Sequence, residues 1–323
     1  MCTHEKIFIA GHNGMVGSAI FRFLESQSDN HELITRDRES LDLLDQRAVG
    51  DFFEKIRPTQ IYIAAAKVGG IYANDTFPAE FLFDNLSIQN NLIHSAFKFG
   101  TKKILFLGSS CIYPKFASQP IKEEYLLSGM LEETNESYAI AKIAGIKLCQ
   151  AYNKQYGKSH GIDYRSIMPC NLYGIGDNYH EMNSHVIPAL IRKIHHAKAT
   201  SSKHIEIWGT GKPLREFLYV DDLAQACYFV MNALKSSKHE EQILSNHINV
   251  GYGDEISISN LAQIIAKEIG FSGEIIFNPA FPDGTPRKIL NSDRIRSLGW
   301  KPSTSLKNGI KLAYNDFLKQ IKA

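Results

Sequence analysis

The sequence is short of the features that would assign it to a class at a glance. Its 323 residues include only five cysteines, at positions 2, 111, 149, 170 and 227. They form no Cys-x-x-Cys pair and no even framework, which argues against a disulfide-stapled fold and a thiolate metal centre; they read as reduced thiols of a cytosolic protein. No metal is expected. No apolar run approaches the ~20 residues of a membrane span, and Met1 to Lys6 leads into only a short apolar stretch, so neither a membrane partner nor a signal peptide is expected. Charge of one sign is also missing. Lys and Arg number 36 against 34 Asp and Glu, a net +2, too little to suggest nucleic acid as a partner. There is no internal repeat and no low-complexity segment. What is present, 44% hydrophobic and 22% charged residues, is the balance of a soluble globular protein. The length exceeds one ordinary core and points to two domains.

Short apolar runs alternate with helical patterns through the first half. Strands are expected at Lys6–Ala10, His31–Thr35, Gln60–Ala65, Lys103–Leu107 and Asp163–Met168, with helices between them. This order predicts an α/β fold, a doubly wound parallel sheet of the Rossmann type. After Gly174 the pattern becomes shorter and more polar, as in a smaller C-terminal α/β substrate domain. The expected division is 1–172 for dinucleotide binding, with a return segment near 214–252, and 173–323 for substrate. One helix is expected from Phe77 to Phe99, one from Tyr138 to Tyr156, and one from Leu223 to Leu234 capped by Asp221 or Asp222. Residues Ser159 to Ile162 read as a small surface insertion.

Between the first strand and the first helix lies Gly11-His12-Asn13-Gly14-Met15-Val16-Gly17. Glycines at this spacing permit a tight turn and let backbone N–H groups approach a pyrophosphate at a helix N-terminus. At the end of the second strand stands Arg36-Asp37-Arg38. Two guanidiniums suit the 2′-phosphate of NADP, whereas Asp37 keeps NAD open, and solvated loop charges are the plain alternative. Asp42 falls where it could approach the adenine. Ala64-Ala65-Ala66 leaves room for a cofactor, and Lys67 to Ile71 reads as a flexible loop at a strand's carboxyl end.

Tyr138 and Lys142 lie four residues apart, on one face of a helix. A phenol is a poor base near its reference pKa of about 10, and a nearby ammonium lowers that value. The pair can exchange a proton with a developing alkoxide. By itself the spacing is equally that of a solvated surface pair. Ser109, Ser110 and Cys111 follow the Lys103–Leu107 strand; serines there more often satisfy backbone groups, and a cysteine is more often a small buried hydrophobe.

Taken together, Gly11-x-x-Gly14-x-x-Gly17, a serine ahead of Tyr138-x-x-x-Lys142, and Arg215-x-Phe217-x-Tyr219-Val220-x-Asp222 resemble the extended short-chain dehydrogenase/reductases that act on nucleotide sugars. The stretches Gly11 to Ala19, Ala64 to Ile71, Gly108 to Pro114 and Ser184 to Leu190 are similar to a narrower group, the NADPH-dependent 3,5-epimerase/4-reductases of GDP-4-keto-6-deoxy-D-mannose. The resemblance spans almost the whole chain. It implies NADP(H) as cofactor, a GDP-sugar as substrate, a homodimer, and a set of roles. Ser109 and Tyr138 would bind the C4 carbonyl oxygen. Lys142 would hold the nicotinamide ribose and depress the Tyr138 pKa. Cys111 and His185 would be the acid–base pair that inverts C3 and C5. Gly11 to Gly17, Arg36, Arg38, Asp42, Leu107, Ser109, Lys142, Pro169, Cys170, Asn171, Leu172 and His185 would contact the cofactor. Lys193, Trp208, Arg215 and Asp283 would hold the GDP-sugar, Arg215 at the diphosphate. The chain departs from some bacterial members at Asn13, where they carry an arginine for the 2′-phosphate; that load passes to Arg36 and Arg38.

Rival readings are a related GDP-keto-sugar epimerase/reductase for another sugar such as a 6-deoxy-heptose, and an enzyme with tightly bound NAD that epimerises C4 or dehydrates the sugar. Dehydratases of this fold favour acids beside the serine, unlike Ser110-Cys111. The non-enzyme reading, a dinucleotide-binding regulator, is opposed by the presence of Ser109, Tyr138 and Lys142 together.

Overall fold

The computed structural model describes residues 5–27, 31–181, 184–232, 247–281 and 283–322. In chain order the first strands are β1 (Glu5–Ala10), β2 (His31–Ile34), β3 (Gln60–Ile63), β4 (Lys103–Leu107), β5 (Asp163–Pro169) and β6 (Asn171–Tyr173). They are followed by β7 (His204–Trp208), β8 (Leu214–Tyr219), β9 (Ile248–Val250), β10 (Glu255–Ser257), β11 (Glu274–Asn278) and β12 (Arg287–Lys288). The helices that matter most below are α1 (Met15–Ser26), α2 (Gln46–Ile56), α3 (Ile71–Thr76), α4 (Pro78–Lys98), α5 (Glu136–His160), α6 (Val186–Ala199) and α7 (Val220–Asn232).

Six strands form one sheet in the order β2-β1-β3-β4-β5-β9, all parallel. β3 is buried throughout and β4 and β5 nearly so, because helices cover both faces of a parallel sheet. Ile61, Ile63, Ile104, Leu105 and Phe106 have no measurable exposure, and each such side chain contributes about 1.5–3 kcal/mol by leaving water. The chain leaves β1 toward β2 on one side and returns to β3 on the other. That reversal opens a crevice at the carboxyl ends of β1 and β3, where ligands of such sheets bind. This is the doubly wound α/β fold expected.

Beyond Gly174 the strands gather into small sheets. β8 lies between β10 and β12 and also pairs with β6, while β7 and β11 form a parallel pair. Of the expected return segment, β8 belongs to this second group, whereas α7 packs on α1 and β9 completes the six-stranded sheet. A second apolar cluster is centred on α6, the helix Ile258–Ile269 and the helix Leu306–Gln320.

Several local expectations need correction. The helix expected over 77–99 is α4, which starts at Pro78 because Phe77 leaves helical geometry at φ −123°, ψ 47°; the short α3 just before it was not expected. Of Ser159 to Ile162, the first three are exposed and Ile162 is not. α5 runs on to His160, Gly161 ends it in the left-handed region at φ 61°, and Ile162 is buried in the core. Neither Asp221 nor Asp222 is an N-cap, since α7 already starts at Val220. Asp221 instead pairs with Arg22 at 2.7 Å. The expected end of that helix at Leu234 lies outside the described residues. β10, β12 and the short helix Asp293–Ser297 were not visible in the sequence pattern.

Candidate active site

A single cleft of about 1520 Å³ runs from the Gly11–Gly17 turn across the carboxyl ends of β3 and β4 to the 283–288 segment. Its floor depends on close backbone approach. Gly11 has φ +89°, and a Cβ there would lie 2.6 Å from the Ala65 nitrogen; at Gly17 a Cβ would meet the Gly11 carbonyl oxygen at 2.1 Å. Only glycine lets the first turn of α1 press onto the loop. Gly14, the N-cap of α1, supplies no side-chain cap, so the first-turn N–H groups and the positive end of the helix dipole face the cleft. That is a phosphate cradle.

Arg36, Arg38 and Asp42 line the same end. The Arg36 guanidinium donates to the Thr35 carbonyl at 2.6 Å and lies 5.4 Å from the Phe52 ring centre. Asp37 accepts from the Ser40 N–H at 2.8 Å, and its hydrogen bonds to Ser40 hold its carboxyl below the usual range. The carboxylate that left NAD open is therefore engaged in its own loop, while both guanidiniums border the crevice. Asp42 accepts from the Leu44 N–H at 3.0 Å.

α5 carries Tyr138 and Lys142 into the cleft. It is held by α4, whose Gln89 donates to the Ala141 carbonyl at 2.7 Å, one residue before Lys142. Phe81 of α4 meets the Tyr138 ring edge-on, centroids 6.3 Å apart. Lys142 is buried, donates to the Leu107 carbonyl at 2.8 Å, and has its ammonium 5.7 Å from the Tyr138 ring centre. Burial lowers the Lys142 pKa to about 8. The expected depression of the Tyr138 pKa does not follow. Burial, then the neighbouring Cys111, push the phenol well above its ordinary value, because lost hydration penalises the phenolate. At neutral pH Tyr138 is a proton donor.

Ser109, Ser110 and Cys111 leave β4 directly into the cleft, the Ser109 hydroxyl accepting from the Cys111 N–H at 3.5 Å. Burial raises the Cys111 thiol, opposed first by Lys288, then by Ser109 and Lys142. His185, at the N-cap of α6, lines the cleft without capping its helix. Its ring surface is open to the cleft while the walls deprive it of bulk water, which lowers its pKa and keeps it neutral. Pro169, Cys170, Asn171 and Leu172 line the same cavity. The Cys170 N–H bonds the Val250 carbonyl at 3.0 Å, and the Asn171 amide bonds the Glu216 carbonyl at 2.9 Å.

The residues expected to hold the substrate divide. Arg215 and Asp283 line the cleft. Asp283 accepts from the Thr210 N–H and hydroxyl at 2.8 and 2.6 Å. Lys193 is exposed on α6, and Trp208 is 59% exposed and stacked on Phe281 at 4.5 Å; neither is in the cleft wall. Sequence reasoning missed Lys67, which pairs with Glu80 and Asp84 at the cleft edge, and Lys288, which ends the Asp283–Lys288 stretch.

A family model described as the NAD dependent epimerase/dehydratase family matches residues 7–251, and the chain belongs to that family. The GDP-L-fucose synthase of Escherichia coli K12 is 54% identical over 318 residues, 98% of each chain. GDP-L-fucose synthase 1 of Arabidopsis thaliana is 51% identical over 316 residues, 98% of this chain and 94% of that one. Within the wider family the chain is therefore a member of the GDP-L-fucose synthase family. Among solved structures, MlghC, a GDP-mannoheptose C4 reductase from Campylobacter jejuni with NADP bound, aligns with TM-score 0.87 at 39% identity, covering 98% of this chain and 99% of that one.

Proposed function

We propose that the protein converts GDP-4-keto-6-deoxy-D-mannose to GDP-L-fucose by 3,5-epimerisation and NADPH-dependent 4-reduction. The observation that carries this reading is one cleft that collects the glycine cradle, Ser109, Cys111, Tyr138, Lys142, His185 and Arg215. NADP(H) fits the chain's own residues: Gly11 to Gly17 for the pyrophosphate, Arg36 and Arg38 for the 2′-phosphate. Bound NADPH supplies the hydride for C4.

The remaining chemistry belongs to side chains. Ser109 and Tyr138 donate to the C4 oxygen, and the high phenol pKa makes Tyr138 its proton source. Lys142, fixed on the Leu107 carbonyl, sets the tyrosine's surroundings and reaches the ribose. The same two donors stabilise the enolate oxygen formed when a proton leaves C3 or C5. Inversion needs one group to take that proton and another to return one from the opposite face. Cys111 and His185 come from separate elements, the turn after β4 and the start of α6, and fill these roles. Arg215 meets the diphosphate and Asp283 adds a contact from the same cleft, while substrate roles for Lys193 and Trp208, outside the cleft wall, rest on the resemblance alone. A homodimer, which rests on the resemblance, a cytoplasmic setting, which rests on the cysteine pattern, and a division into 1–172 and 173–323 with a returning segment, which rests on the change of pattern after Gly174, belong to the same proposal.

The test is incubation with NADPH and GDP-4-keto-6-deoxy-D-mannose, following cofactor oxidation and identifying the sugar by NMR. GDP-L-fucose is the expected product. Turnover of a 6-deoxy-heptose analogue with none of the mannose substrate would overturn this reading in favour of a heptose enzyme, a reading kept in view by the likeness to MlghC.

A further inference from the structure

Lys288 stands on β12, opposite Arg215 in the register of β8. The segment that carries it is tied down at both ends. The Leu214 N–H donates to the Pro286 carbonyl at 2.9 Å, and the Leu290 N–H donates to Glu216 Oε2 at 3.0 Å. On the other flank the Ile289 N–H donates to Gln119 Oε1 at 3.0 Å, and Ile121 exchanges backbone bonds with Ile289 and Asn291 at 2.8 and 2.7 Å. Residues 119–121 belong to the stretch that follows the Ser109–Tyr113 turn. A strand of two residues is thus stitched to β8 on one side and to the segment downstream of Cys111 on the other. Lys288 and Cys111 line the same cavity.

Among the described residues no carboxylate forms an ion pair with this ammonium. Its chain neighbour Arg287 bonds Glu255 at 2.7 Å. Glu132, which acts on Lys288 electrostatically, is paired with Lys115 at 3.0 Å. The groups that face Cys111 are Ser109 on its own turn, Tyr138 and Lys142 from α5, Lys288 from β12, and His185 across the cleft, with Arg215 acting on Lys288. Of the two ammoniums, Lys142 is committed to the Leu107 carbonyl.

We infer that Lys288 is a positioning residue for Cys111, the anchored and unpaired positive charge that readies its sulfur to take a proton from the sugar ring. The role rests on the epimerase reading above. It accounts for why burial, which opposes thiolate formation, is answered first by Lys288, and why the Lys288 ammonium, disfavoured by burial, is supported in return by Cys111. The competing role for Lys288 is a second cation beside Arg215 on the diphosphate.

The test is the rate of Cys111 alkylation by iodoacetamide as a function of pH, resolved by peptide mass spectrometry on the full chain without sugar, with Cys170 as an internal reference. Lys288→Met is expected to slow Cys111 alkylation about fivefold near pH 7.5 and move the profile to higher pH, while Lys288→Arg retains it. GDP affinity, measured by calorimetry, is expected to stay within about twofold. Lys288→Gln replaces the Met variant if that one fails to fold, as judged by near-UV circular dichroism. An unchanged alkylation profile overturns the inference, and with a loss of GDP affinity it assigns Lys288 to the diphosphate. Equal shifts in the Arg and uncharged variants overturn it too, since packing rather than charge would be responsible. The readout needs no turnover. A shifted profile in a protein that makes no GDP-L-fucose therefore upholds the electrostatic coupling of Lys288 to Cys111 while the proposed function fails.

Discussion

Along the six-stranded sheet β3, β4 and β5 bury almost every residue, whereas β7 alternates exposed and buried and β11 hides little. The first region is held by apolar side chains on both faces of parallel strands. The second is joined to it by buried charge. Glu216, with no exposure, accepts from the N–H groups of Gly253 and Leu290 at 2.6 and 3.0 Å. Asp222, equally buried, accepts from the N–H and hydroxyl groups of Ser303 and Thr304. A sheet edge presents backbone N–H groups and turns in fixed positions, so Ser109, Tyr138 and the glycine cradle inherit their geometry from the fold. The substrate-facing segments carry irregular backbone and need carboxylates to satisfy N–H groups that no ladder reaches.

The contrast predicts two kinds of failure. At the sheet edge, loss of a catalytic group should remove chemistry and leave the fold intact. Tyr138→Phe keeps the ring against Phe81 and removes only the hydroxyl. NADPH oxidation should fall by about 10²- to 10⁴-fold, the range for a positioned proton donor, with an unchanged melting temperature. A large melting shift would break the comparison, because it would give the phenol a structural duty.

At the junction the reverse is expected. Asp222→Ala takes the acceptor away from the N–H and hydroxyl groups of exposed Ser303 and half-buried Thr304. The loss should be about 2–4 kcal/mol in urea unfolding, since hydrogen bonds to a buried charge are among the strong ones. Cofactor affinity per folded molecule should change little. Tight cofactor binding lost together with stability would mean that the two regions fold as one electrostatic unit.

The same contrast explains what could be read from the sequence. Gly11 to Gly17 and the Tyr138–Lys142 pair are local patterns, three or four residues apart, and the strands between them are continuous apolar runs. Asp222 serves residues 303 and 304, and Glu216 serves 253 and 290, partners that no short window contains. Phe77–Pro78 is a local signal for the start of α4, whereas the six residues of α3 are too few to show an apolar period. Ser159 to Gly161 are exposed, as a surface segment would be, yet α5 runs on through His160 to the helix stop at Gly161, and Ile162 is a core residue. The Tyr138 pKa went the opposite way because spacing places an ammonium nearby but says nothing of how much water the phenol loses.

Arg36 and Arg38 sharpen the comparison on the cofactor side, where local pattern should suffice. Each lines the cleft, and Asp37 is engaged with Ser40. Alanine at the guanidinium that carries the 2′-phosphate should reduce the preference for NADPH over NADH about tenfold in kcat/KM, by loss of a charge-assisted bond. If both single variants leave the preference unchanged, the 2′-phosphate is read elsewhere, His12 being the next cation-forming group in the turn.

Asp177 supplies the smallest test, in the second region and at a distance from chemistry. It is 7% exposed; Oδ1 accepts from the Asn178 N–H at 2.8 Å, and Oδ2 is buried without a hydrogen-bond partner. Burial raises its pKa to about 7, and the charge of Asp316 adds to the rise. In the unfolded chain the group titrates near about 4. Between those values the folded state holds a proton that the unfolded state has released, so this contribution to stability falls as pH rises through the window and is lowest above about pH 7. Asp177→Asn keeps an acceptor for Asn178 and never ionises. It should stabilise the protein by about 1 kcal/mol at pH 8 and by almost nothing below about pH 3, where the aspartic acid is protonated in both states. The opposite pattern, destabilisation at pH 8 only, would mean that the folded protein uses the ionised carboxylate as it uses Asp222. The second region would then rely on charge even where the carboxylate serves only the N–H of its chain neighbour Asn178.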